Sequence, residues 1–333
     1  MVRSVVRQGA RCREPTVQAR KYDLLTNDDA RTPSALASAG VATERRDERF
    51  ADIDLWSTGS ILSALGEAQM AAAAIAYAAA PQIEAVVDAA LPGMRNGGRL
   101  FYVGAGTSGR VGLQDGVELT PTFGLPPERL VLLLAGGAKA LFEAVEGAED
   151  REDVARADVL AHDPGPDDLV IGVAASGRTP YTCSAVRVAR EKGALTVGVS
   201  SNPQGKLLQA ASMSIVLSTG PEVISGSTRL KAGTAQKAAL NMLSTALMIR
   251  LGHAYRGQMV DMRIVNAKLR VRAISMVRRL AGGTDAEIEA ALAAAGDNVK
   301  RAVMIRKGVP VSEIEVRLEA AGGDLRRALG ETA

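Results

Sequence analysis

Five short apolar runs, at residues 100–103, 130–134, 169–173, 195–199 and 214–217, constrain this chain more than any other feature. Each run ends in small or polar residues, and stretches of helical spacing separate most of them. A strand that is apolar at nearly every position must be covered on both faces. Within one chain, the arrangement that does this is a parallel sheet with helices packed on each side. The expected fold is therefore α/β, a three-layer sandwich around a five-stranded parallel sheet. Aromatic residues make up only 3% of a chain that is 47% hydrophobic. Its core must be built from Ala, Val, Leu and Ile, which lets helices lie close to the sheet.

The flanking regions read differently. Residues 1–42 carry Arg3, Arg7, Arg11, Arg13, Arg20 and Lys21 and hold neither a helical nor a strand period. They are expected to form a disordered extension. Residues 61–94 have helical spacing interrupted at Pro81, and residues 231–251 and 260–281 each predict one helix. Near the end, Glu287, Ile288 and Glu289 followed by residues 292–302 recur 26 residues later as Glu313, Ile314 and Glu315 followed by residues 318–328. Each copy reads as helix, glycine-containing turn, helix. The expected organisation is a main α/β body over residues 43–255 and a small all-helical subdomain over 256–333, the latter serving packing or dimer support.

Several partner classes are excluded as main partners. A net charge of +3, evenly spread, does not suit nucleic acid or a membrane surface. The longest apolar run, residues 70–80, is about half a membrane span, and no charged segment followed by a leucine-rich one opens the chain. Cys12 and Cys183 are far apart, and His162 and His253 stand alone as expected surface residues, so no metal site is predicted. Few cysteines in a long chain fit a reducing compartment, and the expected location is the cytoplasm.

Ligands of parallel sheets bind at the carboxyl ends of the strands. The first strand runs into a loop containing Gly106, Thr107 and Ser108, and the third into Ser176, Gly177, Arg178 and Thr179. Glycines let backbone N–H groups approach an anion, hydroxyls donate further bonds, and the start of a following helix adds positive potential. Two such loops make a phosphate cradle. Gly104, Gly106 and Gly109 also match a dinucleotide fingerprint, but the second strand ends in Ala135, Gly136 and Gly137 without the acid that would hold a ribose. A third polar block, residues 225–237, offers Ser227 and Lys231 at a helix start, where Lys231 or Lys237 could equally be helix surface. Glu118 and Glu149 stand out as a carboxylate pair able to do general acid/base work on a sugar.

The blocks at 104–110, 115–124, 146–150, 176–181, 226–237 and 241–245 resemble N-acetylmuramic acid 6-phosphate etherases. The resemblance runs in order from Thr43 to Leu329. It implies the sugar isomerase (SIS) fold, a homodimer with sites near the subunit interface, a small sugar phosphate as ligand and no cofactor. It also implies the reaction: breaking the ether between C3 of the sugar and D-lactate, by elimination from the open-chain aldehyde and then hydration. By position, Glu118 corresponds to the principal acid/base acting at the lactate oxygen and the water. Glu149 corresponds to the second catalytic acid, a candidate for the C2 proton. Thr107, Ser108, Ser176, Gly177 and Thr179 correspond to phosphate and sugar contacts. Val117 and Leu119 stand where the family has a small residue and a Cys, Gly116 replaces a more typical Ala, and Leu55 and Trp56 are unusual. Two other readings share the fold. One is a sugar-phosphate-sensing regulator of the glucokinase regulatory protein type, usually a tandem of two such domains. The other is an aldose–ketose isomerase, which would lack the 146–150 block.

Overall fold

The computed structural model describes residues 42–331, so the extension expected at residues 1–42 lies outside the described residues except for Ala42. Ser57 caps the first long helix, its hydroxyl accepting a bond from the Ser60 N–H at 3.2 Å. That helix, α1 (Thr58–Ala78), is followed at once by α2 (Ala80–Arg95), and Pro81 sits in the first turn of α2 where a missing N–H costs nothing. Strand and helix then alternate: β1 (Leu100–Gly104), α3 (Gly106–Val117), α4 (Leu119–Phe123), β2 (Leu130–Leu134), α5 (Glu152–Ala161), β3 (Leu169–Val173), α6 (Pro180–Glu191), β4 (Leu195–Ser200), α7 (Lys206–Ala210), β5 (Met213–Val216) and α8 (Lys231–Arg250).

The five strands are all parallel, in the order β2-β1-β3-β4-β5. Alternation along the strands explains why the runs are apolar throughout. Leu100, Tyr102, Ile171, Val197 and Ile215 point to one face, packed with Ile83, Val86 and Met94 of α2 and Leu240, Leu243 and Leu247 of α8. Phe101, Val103, Val131, Leu133 and Val170 point to the other, against Val159 of α5 and Tyr181, Ala185 and Val188 of α6. At about 25 cal/mol per Å² of apolar surface removed from water, burial on both faces dominates the stability of such strands.

α1 packs along α8 through Ala64, Ala68, Ala72 and Ala76, whose four-residue spacing makes a narrow, small-residue contact stripe. Its opposite side is uncovered: Leu62, Met70 and Tyr77 are 63%, 69% and 75% exposed. Among the described residues, α1 is the one helix long and apolar enough to cross a membrane by length and composition. The apolar run read as too short for a span is thus part of a longer helix, although one side of that helix is already packed on α8.

The C-terminal part has its own hydrophobic cluster, including Tyr255, Met262, Met276, Val277, Ile288, Leu292, Val303, Ile314 and Leu325. Its helices are α9 (Ala267–Ala281), α10 (Asp285–Ala294), α11 (Val299–Arg306), α12 (Val311–Ala320) and α13 (Leu325–Ala328). The helix expected over 260–281 begins seven residues later than its apolar spacing suggests. Val260 and Met262 are buried, but their backbone is committed elsewhere. The Val260 carbonyl accepts from Lys300 N, and Arg263 N donates to the Pro121 carbonyl. Asp261 is taken up by the Lys300 ammonium at 2.5 Å and by His253 Nδ1 at 2.9 Å, so His253 is half-buried rather than a surface residue. Asn266 then caps α9, accepting from Leu269 N at 2.9 Å.

Candidate functional site

The two glycine- and hydroxyl-rich loops stand side by side, because β1 and β3 are neighbours in the sheet. After β1, Gly106 turns the chain with φ +52° and α3 starts directly on the strand end. A Cβ on Gly109 would lie 2.4 Å from the Leu134 side chain and 2.8 Å from the Gly104 backbone, so the match to the dinucleotide fingerprint reflects this close docking of α3. Ser108 is buried and Thr107 half-buried in the first turn. After β3, Gly177 has φ +65°, and a Cβ there would meet Ser200 Oγ at 2.5 Å and Gly205 Cα at 2.7 Å. The Ser176 hydroxyl accepts from Arg178 N at 3.2 Å, and the Ser176 carbonyl accepts from Asn202 Nδ2 at 3.2 Å. Arg178 is exposed, and Thr179 is half-buried at the start of α6.

The third block meets the first loop at Gly233, where a Cβ would sit 3.3 Å from the Thr228 carbonyl and 3.4 Å from Thr107 Cγ2. Ser227 is half-buried beside it. The start of α8 is held by the buried Glu222 carboxylate, which accepts from Lys231 N at 2.9 Å and Ala232 N at 2.8 Å. The Lys231 ammonium donates to the Pro221 carbonyl at 2.7 Å; burial lowers its pKa, against the attraction of Glu222. One of its three donors is therefore already spent on the loop.

Glu149 lies in the turn Ala148–Asp150 and lines a pocket with Gly106, Arg110, Ala140 and Val145. Arg110 braces this segment against α3, donating to the Ala140 carbonyl at 2.8 Å and the Glu143 carbonyl at 3.2 Å. Glu149 is exposed beside the first loop.

Glu118 is elsewhere. It follows the last residue of α3 and lines a second cavity with Asp115, Leu119, Phe123, Lys237, Asn241 and Ser244. Ser108 and Glu118 are separated by ten residues of rigid helix, about 15 Å at 1.5 Å per residue. The structure thus brings Glu149 beside the first of these loops and leaves Glu118 at the far end of α3. Within one chain the two glutamates do not share a cavity.

Two residues of the Glu118 cavity, Asp115 and Asn241, have no role assigned from the sequence, and a third, Lys237, stands open there between ligand contact and helix surface. Asp115 and Glu118 are three apart at the end of α3, and Lys237 and Asn241 four apart on α8, so each pair shares a helix face. Asp115 is buried; it accepts from the Tyr102 hydroxyl at 2.6 Å and from Asn241 Nδ2 at 3.5 Å. Burial, reinforced by Asp115, drives the Tyr102 phenol well above its ordinary pKa and keeps it a donor. Among the described residues, no group of three or more His, Cys, Asp or Glu is placed to hold a metal ion.

Two family models match. Residues 82–190 match the glucokinase regulatory protein N-terminal SIS domain, and residues 144–246 the SIS domain. Among curated relatives, an N-acetylmuramic acid 6-phosphate etherase of Deinococcus radiodurans is 52% identical over 87% of this chain and 95% of its own length. Proteins of the same name from Streptomyces avermitilis and Rubrobacter xylanophilus are 48% and 47% identical, each over 79% of this chain, covering 85% and 88% of their own lengths.

Proposed function

Because this chain belongs to the N-acetylmuramic acid 6-phosphate etherase family, we propose that two copies of it build composite sites for that reaction, each cleaving the D-lactyl ether to give N-acetylglucosamine 6-phosphate and D-lactate. The observation that carries this reading is the separation of Glu118 from the phosphate loops. A single hexose phosphate anchored at Thr107, Ser108, Ser176 and Thr179 cannot reach a carboxylate about 15 Å away along α3. It can reach Glu149 of the same chain and Glu118 of the partner subunit. The uncovered side of α1, with Leu62, Met70 and Tyr77, and the half-exposed Val117 next to Glu118 supply apolar surface for such a contact.

The chemistry follows from the open-chain aldehyde. The C1 carbonyl acidifies the C2 proton, and Glu149 beside the phosphate loop removes it. Electrons shift to form the C2–C3 double bond while the C3–O bond breaks and Glu118 protonates the departing lactate oxygen. Glu118 then takes a proton from water as it adds at C3, and a proton returns to C2. Phosphate binding at the loops and the positive end of α3 fixes C2 and C3 against the two carboxylates, an orientation effect worth up to several kcal/mol of barrier. The presence of both glutamates favours this reading over a sugar-phosphate-sensing regulator. The poverty in cysteine supports a cytoplasmic site of action in the breakdown of N-acetylmuramic acid.

The test is release of D-lactate from N-acetylmuramic acid 6-phosphate, run with EDTA and in ¹⁸O-labelled water. D-lactate without label and sugar phosphate with ¹⁸O at C3 are expected. Label in the lactate instead would mean cleavage on the lactyl side and would remove the elimination mechanism.

A further inference from the structure

The geometry points to a subsite for the lactyl group itself: we propose that Lys237 and Asn241 bind its carboxylate while Leu119 and Phe123 receive its methyl, all in the Glu118 cavity. This rests on the reading of Glu118 as the acid at the ether oxygen and extends it to the group that leaves.

The lactyl arm carries three features around one carbon: the ether oxygen, a carboxylate and a methyl. The cavity holds a counterpart for each. Glu118 is exposed at its edge for the oxygen. Lys237 is exposed and, among the described residues, forms no salt bridge, which leaves its charge available to an incoming anion. One turn further along α8, the exposed Asn241 places its amide in the same cavity. Leu119 and Phe123, at 2% and 9% exposure, form an apolar floor from the short helix that follows Glu118.

Asn241 is oriented by a long contact: its Nδ2 lies 3.5 Å from Asp115 Oδ1, and the other oxygen of Asp115 is held by Tyr102 at 2.6 Å. An asparagine amide has two N–H groups and an oxygen. With one N–H committed to Asp115, the second N–H and the oxygen remain for a ligand. Tyr102 and Asp115 are thus positioning residues: the buried phenol fixes the carboxylate, and the carboxylate fixes the amide. Both oxygens of Asp115 accept bonds from these two groups. An ammonium and an N–H converging on one carboxylate give charge-assisted bonds, stronger than neutral ones.

The test compares two ligands that differ by the lactyl group, N-acetylmuramic acid 6-phosphate and N-acetylglucosamine 6-phosphate, binding to the full chain in a Glu118→Gln background that prevents turnover. Lys237→Met is expected to weaken the lactyl-bearing ligand about tenfold or more, the loss of one charge-assisted contact. It should leave N-acetylglucosamine 6-phosphate within about twofold, and Lys237→Arg should restore part of the difference. Asn241→Leu should act in the same direction, and Tyr102→Phe more weakly. Equal losses for both ligands, or no loss for either, would overturn the subsite. D-lactate release by the wild-type chain is measured in parallel. Release with unchanged ligand selectivity sinks the subsite alone, whereas absence of release sinks the etherase reading on which it rests.

Discussion

Replacing Glu118 with glutamine is expected to lower D-lactate release by roughly 10²–10⁴-fold, the range lost when one general acid/base is removed. The substitution keeps the side chain's size and removes its ability to carry and return a proton. Glu118 lies at an exposed helix end and not in the core, so folding should be untouched. Binding of N-acetylglucosamine 6-phosphate should also persist, because the phosphate loops lie at the other end of α3. A variant that binds the product and releases no lactate would assign Glu118 to chemistry. Retention of full activity would remove it from that role, and loss of both binding and activity would mean that it supports the fold.

The complementary change acts on the phosphate. Ser176→Asp places a carboxylate at the loop that follows β3, beside the first turn of α3. Ser176 is half-buried and its hydroxyl accepts a bond from Arg178 N. A phosphate dianion meeting a fixed carboxylate loses its hydroxyl contact and gains like-charge repulsion, which costs several kcal/mol. Sugar-phosphate binding is expected to weaken by about 100-fold or more on that basis. The measurement is titration with N-acetylglucosamine 6-phosphate at constant ionic strength. Binding within a few-fold of wild type would place the phosphate elsewhere.

Much of the fold was legible because β1, β3 and β4 are buried on both faces, and burial of that kind writes an unbroken apolar run. Pro81 and the 26-residue repeat were equally plain, since a helix start and a glycine turn each have a distinct local chemistry. The stretch 260–266 misled because Val260, Met262 and Ile264 imitate a helical face, while the Val260 carbonyl and the Arg263 N–H are claimed by Lys300 and Pro121, residues remote in sequence. The site was legible in parts. Hydroxyls at strand ends and the two glutamates marked candidate site segments, but no local pattern showed that α3 sets Glu118 about 15 Å from Ser108 within one chain. In the sequence Lys237 stands open between ligand contact and helix surface, and Asn241 carries no role of its own. Their place in one cavity with Asp115 appears only where α8 crosses α3, a long-range contact that no local pattern encodes.

The most direct measurement mixes the two inactive variants. Glu118→Gln keeps its phosphate loops and Ser176→Asp keeps its glutamate, so a mixed dimer regains one complete site if each site draws on both chains. After co-refolding or subunit exchange in equal amounts, D-lactate release should recover to about a quarter of wild type, the statistical yield for one restored site in half of the dimers. Activity no greater than that of the separate variants, with mixed dimers shown to be present, would contradict the composite site and place Glu118 outside it.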